Sequence, residues 1–506
     1  MGGQPSKPVE PNMHEKAVFE RLRGLRVQDE YDEVDSDSEK TSFGPLVREA
    51  EGLPINVLES WQTDFLKDPK NKLALTALSS QNPKAVLTSL PTEIADQQIY
   101  NVKIPIEGDP ITNQRSSGRC WLFASTNVFR VALTKRYGLE SFELSQAYLF
   151  YWDKLEKSNF FLEQIIDTAG EDLEGRLVQR LLGDLVSDGG QWDMVYNLVE
   201  KYGLVPQTIY PDSWNAMNSG VLNNVVKIKL REFALKLRAM VNSNNGVSAA
   251  ALSSEKEKMM REIQLIMTLL LGPPPSPEED FTWQYNDKNG KAHQLKTNPK
   301  NFAKDIYSPD FKFITSNVIS SFISLVNDPR HDYLTRLEVS RLGNIVGGRG
   351  INYVNVDMAT IKKVCISTLK AGIPIFFGSD VGQFSDSKSG IMDLELFNYD
   401  LGFNTSLLGM SKAQRLTTGE SLMTHAMVLT AVHIDEDTGK PVRWRVQNSW
   451  GTTAGDKGWF VMSDAWMDEF VYQVVVDPRF CSHAVRDVLK KEAIVLPLWD
   501  PMGSLA

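Results

Sequence analysis

The chain has 506 residues, of which 42% are apolar and 23% charged, with a net charge of −10. That length suits about three domain-sized units with a large core, and the negative balance disfavours strong nonspecific binding to nucleic acid. No uninterrupted apolar run approaches the ~20 residues that span a bilayer, the N-terminus carries no apolar secretory signal, and three cysteines leave no disulfide framework, so a reducing compartment, the cytoplasm, is expected.

Residues 1–55 form a polar, charge-biased leader that reads as flexible. Met1-Gly2-Gly-Gln-Pro-Ser6 fits an N-myristoylation pattern with Gly2 as acceptor. One acyl chain binds membranes only marginally, so membrane contact is expected only if Gly2 is modified. A mitochondrial presequence is the competing use of this leader, and Glu10, Glu15 and Glu20 count against it. Val18, Phe19, Leu22 and Leu25 share one face of a short amphipathic helix, and the acidic run Asp29 to Glu39 reads as a solvated linker.

Residues 56–220 read as mainly helical and contain Gln114-Arg-Ser-Ser-Gly-Arg-Cys120-Trp-Leu-Phe-Ala-Ser125, whose second half opens a buried helix. Residues 221–350 carry helical patterns from Val225 to Val241 and from Ser254 to Leu271, the second stopped by Gly272-Pro-Pro-Pro275. Lys227, Lys229, Arg231, Lys236 and Arg238 make a local basic stretch, either a solvated helix face or a nucleic-acid contact. From 351 to 495, Ile373 to Gly378, Met423 to His433 and Trp444 to Gln447 read as strands of an antiparallel sheet. An apolar tail, 496–506, closes the chain.

The order Cys120, His425, Asn448 suits nucleophilic acyl chemistry. A free thiol has a pKa of about 8.5, and the unsatisfied N–H groups and dipole of a helix start favour its thiolate. An imidazolium at His425 favours it further and later protonates a leaving amine. The Asn448 side-chain oxygen can accept the other imidazole N–H and fix the ring. The Gln114 amide and the Cys120 backbone N–H are candidate oxyanion donors, and Trp450 is placed to shield the Asn448–His425 bond from water. Cys365 and Cys481 read as inert buried thiols. His433 lies on the same strand parity as His425, and the Asn448-Ser-Trp450-Gly451 companion favours His425.

These motifs resemble the papain-type cysteine peptidases, and in particular the bleomycin-hydrolase branch. The resemblance is carried by Gln114 to Ser125, Asp188-Gly-Gly-Gln-Trp-Asp-Met194, Thr424-His-Ala-Met427, Gln447-Asn-Ser-Trp-Gly451 and the tail Leu496 to Ala506. It implies an α+β, papain-like two-lobed peptidase. A helical lobe (56–220) would carry the nucleophile and a barrel-like antiparallel β lobe (351–495) the His and Asn, with the catalytic cleft between them. An inserted helical region (221–350) would help build a homohexamer. The resemblance makes Gly189 and Gly190 the substrate-binding glycines and lays residues 496–506 in the cleft, with the Ala506 carboxylate pairing with a substrate α-ammonium. The activity implied is cysteine aminopeptidase, with the bleomycin amide and homocysteine thiolactone as further substrates. The family often carries one residue more after this alanine, so a processed C-terminus is implied. Some members bind DNA through a basic central channel; here weak binding at most is expected. No metal or organic cofactor is implied, because the nucleophile is protein-borne. Alternatives from other classes are an endopeptidase without C-terminal gating and a nucleic-acid-binding regulator that makes no use of the thiol.

Overall fold

The computed structural model describes residues 52–243, 246–304 and 321–505; Gly2, Ala506, the acidic run and the expected helix at 18–25 lie outside the described residues. The chain divides into two compact units, Met1–Asn71 and Lys72–Ala506. Within the described part of the first lies the helix Ile55–Phe65.

In the second unit, the helix Cys120–Tyr137 is buried continuously from Cys120 to Thr134 and ends at Gly138, which takes the left-handed conformation (φ 62°). It is buried on every face, as a helix surrounded by protein is, and its polar residues Thr126, Asn127 and Arg130 find hydrogen-bond acceptors there. Against it packs Gln146–Asp167, started by Ser145, whose hydroxyl accepts the Tyr148 N–H. Trp192–Tyr202 joins them, with Trp192 edge-on to Phe129 at 5.5 Å between centroids. Two long helices, Gly220–Val241 and Ala249–Leu271, lie on the outer side of Gln146–Asp167. Both begin about a turn earlier than the apolar period suggests. For the second, the reason is the Ser248 hydroxyl, which accepts the Ala251 N–H and starts the helix at an alanine run with high intrinsic propensity but no periodicity. A hairpin, Phe281–Asn286 with Ala292–Thr297, then sets Trp283 and Tyr285 edge-on to Tyr137.

Among the described residues the main sheet has 12 strands. Its centre runs Ile323–Val326, Val471–Val476, Ile375–Ser379, His425–Ile434, Pro441–Gln447 and Trp459–Ser463, each antiparallel to the next. The structure therefore draws strands Ile323–Val326 and Thr335–Val339 from the stretch read as a helical region. Ile323–Val326 is buried on both faces, so it carries no alternation, and only its partners identify it as a strand. At the sheet edge Ala493–Leu496 pairs in parallel with Thr335–Val339 and leads into the tail.

Two hydrophobic cores meet at the strand His425–Ile434. Ala426 and Val428 pack into the helical core with Cys120 and Trp121, while Met427 and Leu429 enter the core on the other side of the sheet. Alternating side-chain direction along one strand makes this joint, and the candidate residues collect at its end.

Candidate active site

Cys120 is the first residue of its helix and is 2% exposed. The Ala426 and Trp121 backbone N–H groups both donate to its sulfur, so the thiol lies against the strand one residue past His425. Burial pushes the thiol up to about 11 against the pull of those N–H groups. Burial likewise pushes His425 down to about 4, opposed by its bond to Asn448. Between those values Cys120 is a neutral thiol and His425 a neutral imidazole.

His425 Nε2 donates to Asn448 Oδ1 at 2.8 Å, leaving Nδ1 as the nitrogen free to exchange a proton. Antiparallel pairing of Val428 with Gln447 brings Asn448 beside the strand start. Asn448 is fully buried, and its Oδ1 also accepts the Ser449 N–H at 2.7 Å. Trp450 covers the imidazole with ring centroids 4.8 Å apart. His433 sits at the far end of the same strand, opposite Arg443.

Gln114 is drawn to this corner by a short bridge. Its N–H donates to Ser449 O at 2.8 Å, and the Ser449 hydroxyl donates to Gln114 Oε1 at 2.7 Å. Gln114 Nε2 spends one hydrogen on Ser117 O at 2.7 Å, and its second hydrogen remains for another acceptor. Gly451 permits this bridge: its φ is 77°, and a Cβ there would lie 2.4 Å from Asn113 Nδ2.

Gly190 lies against Trp121, where a Cβ would fall 2.4 Å from the indole, so packing alone demands glycine. Its backbone N–H and C=O carry no hydrogen bond among the described residues. The Gly189 carbonyl accepts Lys157 Nζ at 2.6 Å. The tail passes close by. Met502 is buried and its carbonyl accepts the Tyr353 hydroxyl at 3.2 Å; Gln191 Nε2 donates to Ser504 O at 2.9 Å, and Ser504 Oγ donates to Met423 O at 2.7 Å. Asp500 is anchored by Arg330 at 2.8 Å.

The sequence reading did not single out Lys154 or Lys157, and it gave Asp188 and Gln191 no role beyond membership of the motif Asp188 to Met194. For the lysines there was one signal, since both stand among Phe150 and Phe161 at helical spacing on a buried face. The basic stretch is largely engaged within the chain. Lys229 pairs with Glu232 and Glu262, Lys236 with Glu255, and Arg231 caps Leu182 O. Arg238, expected on a solvated face, is buried and donates to Thr168 O and Glu171 O, because its position on the helix faces its neighbour. Cys365 and Cys481 are buried free thiols.

A buried thiol at a helix start, facing a strand whose histidine is tethered by an asparagine, defines a cysteine-type peptidase of papain-like fold. The chain belongs to the Peptidase C1-like family, whose pattern matches residues 52–503. It is 41% identical over 468 residues to "Cysteine proteinase 1, mitochondrial" of Saccharomyces cerevisiae, covering 91% of this chain and 94% of the relative. It is 42% identical over 445 residues to the "Bleomycin hydrolase" of Homo sapiens, covering 87% and 95%. The crystal structure of PepW from Lactobacillus rhamnosis superposes with a TM-score of 0.84 at 39% identity, over 90% of this chain and 99% of that one.

Proposed function

We propose that the chain is an aminopeptidase that works through a Cys120 acyl-enzyme. As the Cys120 sulfur attacks the scissile carbonyl, its thiol proton passes to His425 Nδ1. The carbonyl oxygen becomes an oxyanion facing the spare Gln114 Nε2–H and the Cys120 N–H. His425 then gives that proton to the leaving amine as the C–N bond breaks. Water, deprotonated by the same imidazole, hydrolyses the thioester and restores the thiol. Asn448 and Trp450 hold the ring in one orientation throughout, and the unpaired Gly190 backbone takes the substrate backbone, with Gly189 shaping that segment.

The observation that carries the aminopeptidase reading is Ser504, tied on one side to Gln191, next to Gly190, and on the other to Met423, two residues before His425. Ala506 follows two residues later, within about 7 Å of chain reach. A carboxylate there would pair with a substrate α-ammonium and leave room for only a short N-terminal stretch. The mammalian relatives' name extends the reading to the bleomycin amide, and the thioester chemistry extends it to homocysteine thiolactone.

The test is deletion of Ser504–Ala506, which spares the buried Met502. Parent and truncated proteins are compared on peptides with free and acetylated N-termini. The parent should cut only free N-termini, and the truncated form should accept blocked and internal sites. If the parent already cuts blocked peptides as well as free ones, the chain is an endopeptidase and the gating idea is wrong.

A homohexamer is part of the same proposal. Val221, Ile228 and Leu235, spaced by seven on one helix, and Leu265 and Leu269 on its neighbour are all exposed apolar side chains. Mass measurement in solution checks it. The three free thiols fit a reducing compartment. The cytoplasm is the proposed location; the yeast relative's name makes mitochondria the alternative to test by fractionation.

A further inference from the structure

Four consecutive carbonyls precede the unpaired backbone of Gly190, and each is taken by a side chain from the helices behind it. Lys154 Nζ donates to Val186 O at 3.1 Å, Lys157 Nζ to Ser187 O at 3.1 Å, Trp121 Nε1 to Asp188 O at 2.6 Å, and Lys157 Nζ again to Gly189 O at 2.6 Å. Residues 186–190 form no regular element, so these carbonyls, buried at Val186 and partly buried from Ser187 to Gly189, have no strand partner and need donors from elsewhere. An ammonium group has three donors and no acceptor. Lys157 spends two on Ser187 and Gly189, and its charge pairs with Asp153 at 2.7 Å.

The charges balance. Lys154, fully buried, pairs with Asp188 at 2.5 Å, and Asp153, also fully buried, pairs with Lys157 and accepts from Asn344 at 3.1 Å. The Asp188 carboxylate further accepts the Gly118 N–H, the Ser219 hydroxyl and the Asn223 amide. One cluster thus joins the loop before Cys120 to the segment before Gly190. Buried ion pairs of this kind are poor stabilisers, because apolar side chains of similar volume serve as well or better. What apolar side chains cannot do is hold four carbonyls inward.

We infer that Lys157, backed by Lys154, is a positioning residue for substrate: with Trp121 holding the Asp188 carbonyl, the two buried ammonium groups turn the carbonyls of Val186, Ser187 and Gly189 inward so that the Gly190 N–H and C=O stay unpaired for the peptide being cut. The inference rests on the reading of Cys120 and Gly190 proposed above. It separates two functions of the site. The thiol belongs to the helix start and needs no lysine; the peptide-binding edge belongs to the irregular segment and does.

The test uses the full chain with Lys157→Met, alone and together with Asp153→Asn so that no lone charge is left buried. Steady-state kinetics on a free-N-terminus peptide amide are set beside the rate of Cys120 alkylation by iodoacetamide, which does not use the Gly190 edge. Tenfold or greater loss of kcat/KM, mainly as a rise in KM, is expected, with alkylation within twofold of the parent. A general loosening would slow both together, and that result would overturn the inference, as would kcat/KM within twofold of the parent. If the single variant does not fold, the charge-neutral double variant decides between the same outcomes. Cys120→Ser is the control for the underlying reading. Activity surviving in it removes the reading and the inference with it, whereas a dead Cys120→Ser beside a normal Lys157→Met removes the inference alone.

Discussion

Asn448→Ala removes the acceptor that holds His425 Nε2 at 2.8 Å inside a site where the imidazole is 4% exposed. Water cannot readily replace that acceptor, so the cost is that of an unmade buried hydrogen bond, about 1–3 kcal/mol. If that falls on the transition state, kcat/KM drops between about 5-fold and about 150-fold, at 1.36 kcal/mol per factor of ten. Trp450, 4.8 Å from the imidazole, still restricts the ring and pulls the expectation toward the lower half of that range. The same substitution also leaves the Ser449 N–H without its 2.7 Å partner, so some stability is lost with it. The assay therefore reports turnover of a free-N-terminus peptide amide per titratable thiol, with folding followed by far-ultraviolet dichroism. Asn448→Asp makes the companion variant. It keeps the acceptor and adds a negative charge beside the ring, which should move the acid limb of kcat/KM upward from about 4, the value of His425 in its buried setting. A loss below twofold in folded Asn448→Ala, or an acid limb unmoved in Asn448→Asp, would refute the assignment of Asn448 as the residue that orients His425.

In the parent protein kcat/KM should be flat across neutral pH and fall as pH drops through about 4, where His425 gains a second proton for the pair and can no longer act as a base. Its alkaline decline should lie toward the thiol value of about 11. A pH–rate profile with an acid limb near the ordinary histidine value of about 6.5 would show that burial does not govern the pair. Gly190→Ala should destabilise the protein by about 1–3 kcal/mol through overpacking, since its Cβ would press on the Trp121 ring at 2.4 Å. Thermal unfolding checks this; an unchanged midpoint would mean that Trp121 moves aside freely.

Residue types with sharp chemical uses, set in local patterns, were legible in the sequence. Cys120 opens a run of helical length rich in large apolar side chains, which reads as a buried helix and so places the thiol at its start inside the protein. His425 begins an apolar run of strand length, and Asn448-Ser-Trp450-Gly451 follows another; both appear as neighbouring strands. Sequence spacing did not show that the Ala426 N–H would face the sulfur, because that depends on how a strand and a helix cross. It also did not show that Ile323–Val326 is a strand, since a segment buried on both faces loses its period. Arg238 read as solvated and Lys157 drew no attention, yet the first is buried against carbonyls and the second holds two carbonyls 30 and 32 residues away. Local periodicity determines which face of an element is apolar and which reactive side chains it carries. Only the packed chain decides which distant backbone groups lack a partner, and those groups recruit Lys154, Lys157 and Gln191 to tasks that no neighbouring residue announces.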